Sequence, residues 1–104
     1  MELTQLEQAI LCWISKRNPH LTKYLQSVVP TGREHTGAGR YVEFGTPERR
    51  WRGHVDGQTY QGKGLEHGGG SILWLADGEP ACLEMYAHGN DFPEVIEDHV
   101  LDPG

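Results

Sequence analysis

The stretch that decides the fold runs Ser71-Ile-Leu-Trp-Leu-Ala-Asp-Gly-Glu-Pro-Ala-Cys-Leu-Glu-Met-Tyr86. Two apolar runs flank Asp77-Gly78, and that dipeptide between apolar runs is a strong short-range signal for a hairpin. It is also the most apolar stretch of the chain. Its register is open at this level. A two-residue loop sets Ile72 and Trp74 on the face of Leu83, whereas a three-residue loop sets Leu73 and Leu75 there, because one residue of slip exchanges faces. Either way, both faces carry large apolar side chains. The hairpin therefore belongs at the centre of a sheet, with other elements covering at least one face.

Those elements lie upstream. Residues 1–28 read as helical. Thr4 and Glu7 have capping-box spacing, and Leu3, Leu6, Ile10, Trp13 and Ile14 recur at helical intervals. Lys16-Arg17 suits the negative end of the helix dipole. Asn18-Pro19 restarts the chain, with Asn as an N-cap and Pro at the first helical position. Leu21, Tyr24, Leu25 and Val28 form a second short stripe. All 14 glycines follow residue 31, which marks a change from helices to strands and turns inside one domain, 1–104. The first 31 residues are too few to bury their own stripe.

Strands are expected over residues 29–86. The first lies near Val28–His35, with Pro30 favouring an edge. Thr36–Gly39 makes a turn, and Arg40–Phe44 alternates, Val42 and Phe44 on one face, Tyr41 and Glu43 on the other. Weak strands over 53–65 are joined near Asp56-Gly57, which reads as another hairpin. Gly68-Gly69-Gly70 reads as a flexible lead into the central hairpin. Residues 87–104 read as an acidic tail, extended or with a short helix. The fold class is α+β: two N-terminal helices packed on an antiparallel sheet of about four to six strands.

Charge is lopsided. The net charge is −6. Residues 77–104 hold eight acidic groups and no Lys or Arg, while residues 1–76 hold nine basic and seven acidic groups. Such a segment repels phosphate and attracts a basic protein. The expected partner-binding residues are Asp77, Glu79, Glu84, Tyr86, Asp91, Phe92, Glu94, Glu97 and Asp98, with Trp51 and Tyr60 as further aromatic anchors.

Catalytic and metal chemistry find less support. Cys12 and Cys82 do not form a disulfide framework and read as two buried thiols. His20, His35, His54, His67, His88 and His99 lack the short spacings of zinc ligands, so no cofactor or metal is expected. Arg33-Glu34-His35 offers acid–base groups, but alternation on a strand turns Glu34 away from its neighbours. An alternative reading places Glu34 and His35, with His54 or His67, in a sheet-lined cleft of a small enzyme or ligand-binding domain. Thr36–Gly39 and the triple glycine lack the helix that phosphate loops require. Arg49-Arg50-Trp51-Arg52 is a short basic loop in an acidic chain. No apolar run reaches the length of a membrane span, and the N-terminus lacks a signal-like core, so a cytoplasmic location is expected.

Arg33-Glu-His-Thr-Gly-Ala-Gly39 leading to Tyr41-Val-Glu-Phe44, then Gly69-Gly70, Asp77-Gly78, Leu83-Glu-Met-Tyr86 and Phe92-Pro-Glu94, resembles small bacterial proteins, some of which look like immunity proteins that accompany secreted toxins. The resemblance covers about residues 31–95. It implies a cytoplasmic, non-catalytic protein that binds and neutralises a toxin.

Overall fold

The computed structural model describes residues 2–45, 51–94 and 96–102, with the backbone alone for Glu97 and Asp98. Helix α1 spans Gln5–Arg17 and opens on the expected capping box. The Glu7 amide donates to Thr4 Oγ1 at 3.2 Å, and the Thr4 amide donates to Glu7 Oε1 at 2.8 Å. Asn18 closes this helix rather than capping the next: its Nδ2 donates to the Ile14 carbonyl at 2.9 Å. A 3-10 turn, Pro19–Leu21, and a single helical turn α2, Thr22–Leu25, follow. The stripe expected on α1 buries Leu6, Ile10 and Ile14, joined by Leu11 and, fully buried, Glu7.

Among the described residues, seven strands form one antiparallel sheet: β1 Gly32–His35, β2 Gly39–Glu43, β3 His54–Asp56, β4 Tyr60–Lys63, β5 Gly69–Ala76, β6 Glu79–Ala87 and β7 Glu97–Leu101. The order is β1-β2-β6-β5-β4-β7, with β3 also on β5. The central hairpin thus occupies the middle of the sheet, and β1 is an edge. The Asp56-Gly57 hairpin does not form. His54 faces Trp74, Asp56 faces Ile72 and Tyr60 faces Gly69, so β3 and β4 run in line along one side of β5. The Gly57 amide donates to Ser71 O at 2.9 Å and carries the chain straight on. The acidic tail ends as a strand, β7 on β4, not as a helix.

Both registers considered for the hairpin are half right. The loop has two residues, Asp77 and Gly78, with φ of 54° and 79°, the left-handed pair of a type I′ turn. Ala76 faces Glu79 and Leu75 faces Pro80, but Trp74 then faces Cys82 and Leu73 faces Leu83. The bulge at Ala81 shifts the register by one residue and exchanges the faces. It also accommodates Pro80, which cannot donate to the ladder. Leu73, Leu83, Met85 and Val42 therefore meet the helices in the buried core. The glycines before the hairpin are not a flexible lead. Gly69 and Gly70 are buried in β5, where a Cβ at 69 would lie 2.4 Å from the Tyr86 carbonyl oxygen.

Candidate functional site

Among the described residues, the helices pack on one face of the sheet. Strand alternation and the observed pairings define the other. One row across it reads Glu34, Tyr41, Glu84, Ile72, Asp56, from β1 through β2, β6 and β5 to β3. The next reads Gly32, Glu43, Cys82, Trp74, His54. These strand positions hold four carboxylates and no Lys or Arg. The basic residues of β1 and β2 lie on the helix face instead. Arg33 Nε and Nη2 donate to Glu7 Oε2 and Oε1 at 3.0 and 2.5 Å. The Arg40 guanidinium donates to the carbonyls of Pro93 and Glu94 and sits 5.4 Å over the Phe92 ring. Charge is sorted by sheet face more clearly than by position in the sequence.

Aromatic rings line the open face. Trp51 stacks on Trp74 with centroids 5.6 Å apart and planes at 20°. Tyr41 lies 5.9 Å from Trp51, and His54 5.3 Å from Trp74. Trp51 keeps 38% of its surface exposed. The indole N–H of Trp74 donates to Glu84 Oε1 at 2.9 Å, a diagonal cross-strand pair that fixes the carboxylate. Burial, reinforced by the carboxylates, raises the neighbouring acidic groups. Burial pushes the Cys82 thiol up to about 12, helped by Glu43, Glu84 and Glu34. Burial, then Glu84, Cys82 and Glu34, raise the Tyr41 phenol. Burial, then Asp56 and Glu84, raise that of Tyr86.

The expected partner-binding residues do not gather into one patch. Glu84 and Tyr86 belong to the open face. Asp77 is exposed at the hairpin tip and Glu79 is half-buried beside it. Asp91 and Glu94 are exposed on the segment that crosses the β1–β2 turn, where the Phe92 amide donates to Gly37 O at 2.7 Å. Phe92 is buried between His35 and Arg40, and Tyr60 is fully buried; both rings serve the core. Glu97 and Asp98 lie on β7, at the edge opposite β1. Arg49 and Arg50 fall outside the described residues.

Tyr41, Glu43, Asp56 and Trp74 are the site residues that sequence reasoning missed. Alternation in β2 separates Tyr41 and Glu43 from Val42, and that signal was available. Their union with Trp74 and Asp56 depends on the Ala81 bulge. Glu34 and His35 point to opposite sides of the sheet, as alternation requires. A groove of about 500 Å³ runs along the helices, lined in part by Leu3, Leu11, Cys12 and Leu25, and neither Glu34 nor His35 reaches it. Cys12 is exposed there rather than buried. Among the described residues, no three His, Cys, Asp or Glu side chains gather as a metal site would need, and no helix is long and apolar enough to cross a membrane.

Compared with known protein families, curated proteins and solved structures, the chain matches none. The functional reading therefore rests on the open face itself.

Proposed function

We propose that this is a non-catalytic binding protein of the immunity type, acting in the cytoplasm, which neutralises a cognate toxin by docking its open sheet face on a basic surface of that toxin. The observation that carries the reading is the pairing of an aromatic platform, Tyr41, Trp51 and Trp74, with Glu34, Glu43, Glu84 and Asp56 on strand positions free of Lys and Arg. Interfaces rely on aromatic anchors for affinity and on complementary charge for encounter rate and orientation. The same carboxylates repel phosphate, which favours a protein partner over a nucleic acid. A basic cleft that holds a toxin's own anionic substrate is the natural complement of such a face.

The test is co-expression with candidate toxin domains encoded beside this chain's own gene. The wild-type chain is expected to restore growth, and the Glu34→Lys/Glu84→Lys variant to lose that protection while remaining folded by circular dichroism. Asp91→Asn/Glu94→Gln, which alters the crossing segment, is expected to protect as well as wild type. Absence of protection by the wild-type chain, or loss confined to the second variant, contradicts the reading.

A further inference from the structure

The geometry points to arginine, rather than lysine, as the side chain that the open face receives from its partner; this inference rests on the reading just given. Four observations carry it. Tyr41 stands in register between Glu34 on β1 and Glu84 on β6. With neighbouring strands about 4.8 Å apart, the two carboxylate-bearing positions are about 10 Å apart across one phenol ring. A planar cation can lie on that ring and reach a carboxylate with its edge, whereas an ammonium offers a point charge with no plane to stack.

The indole of Trp74 holds one oxygen of Glu84 through a 2.9 Å hydrogen bond. The carboxylate is thereby oriented before any partner arrives, and an oriented carboxylate favours the two-pronged donor geometry of a guanidinium. Trp51, stacked on Trp74 by one face, retains an exposed surface, and indole is the best ring for a stacked cation.

The molecule's own arginines already use both modes. Arg17 lies 3.8 Å over the Trp13 ring, and Arg33 grips Glu7 through two donors at 3.0 and 2.5 Å. Among the described residues, the strands of the open face supply the aromatic and carboxylate halves of these pairs and no guanidinium to complete them. A partner segment carrying arginines completes them from outside.

The test compares a hexa-arginine with a hexa-lysine peptide, equal in charge, by calorimetry at fixed ionic strength against the full chain. The arginine peptide is expected to bind about tenfold more tightly, a difference of about 1.4 kcal/mol. Trp51→Ala and Glu84→Gln are each expected to shrink that preference to within about twofold, while Asp91→Asn leaves it intact. Equal affinities, or a preference for lysine, overturn the inference. If both peptides bind equally and Glu34→Lys weakens both, the basic-partner reading survives without the arginine preference. If neither binds, or if binding ignores Glu34→Lys, the inference fails, and the protection experiment decides the broader reading separately.

Discussion

At the scale of single residues, burial decides more than residue type. Cys82 sits in the sheet with no exposed surface, while Cys12 is exposed on α1. Both thiols read as buried from the sequence, although Cys12 lies off the stripe of Leu3, Leu6, Ile10, Trp13 and Ile14, and that signal was available. A thiol reagent such as DTNB is expected to modify one cysteine quickly in the native protein and the second only on unfolding; two fast thiols contradict the placement. Burial also raises the Tyr60 phenol well above 10.0 and Cys82 from 9.0 to about 12. The unfolded chain releases these protons at the ordinary values and the folded chain retains them. Their neutral forms are therefore favoured by folding, and stability falls as pH rises above the unfolded values. Urea unfolding is expected to show no loss from these groups below pH 9 and a progressive loss between about pH 9 and 12. Glu7 is the residue whose second role was hidden. Its spacing from Thr4 announced a capping box, but its pairing with Arg33, 26 positions away, had no local signal. Arg33→Met leaves a fully buried carboxylate without its cation and is expected to cost about 3 kcal/mol in urea unfolding.

At the scale of elements, the helices, the central hairpin and the Thr36–Gly39 turn were legible because each has a local cause: periodicity, turn chemistry or a cap. The two misread joints lacked one. Asp56-Gly57 has hairpin composition, yet β5 offers a continuous partner edge, and pairing with it overrides a local reversal. Gly69 and Gly70 look like punctuation but mark a close approach, since the Tyr86 backbone and ring occupy the space of any Cβ. Gly69→Ala is accordingly expected to destabilise the protein by about 3 kcal/mol, because the nearest atom is backbone and cannot swing aside. A change below about 0.5 kcal/mol contradicts this account of the glycine. The bulge at Ala81 is the joint with the widest consequence. It turns Leu73 toward Leu83 and sends Trp74 and Glu84 outward together. Nothing in the local sequence distinguishes that arrangement from a three-residue loop, so the composition of each face follows from the strand pairings alone.

At the scale of the molecule, the charge asymmetry of the sequence takes another form in space. The acidic C-terminal third disperses over the hairpin tip, the segment across the β1–β2 turn, and β7. A concentrated acidic face arises from Glu34, Glu43, Asp56 and Glu84, only one of which lies in that third. Sheet pleating does the sorting: in β1 and β2, arginines fall on the helix side and carboxylates on the open side. The binding proposal depends on this sorting rather than on net charge. The most direct test is therefore the dissociation constant for the basic partner that the proposal calls for, compared between Glu34→Lys/Glu84→Lys on the open face and Asp91→Asn/Glu94→Gln on the crossing segment. The account predicts a loss of at least about a hundredfold for the first, since like charges set opposite a basic surface cost several kcal/mol, and a change within about threefold for the second. Comparable losses from both, or a loss from the second alone, would contradict it.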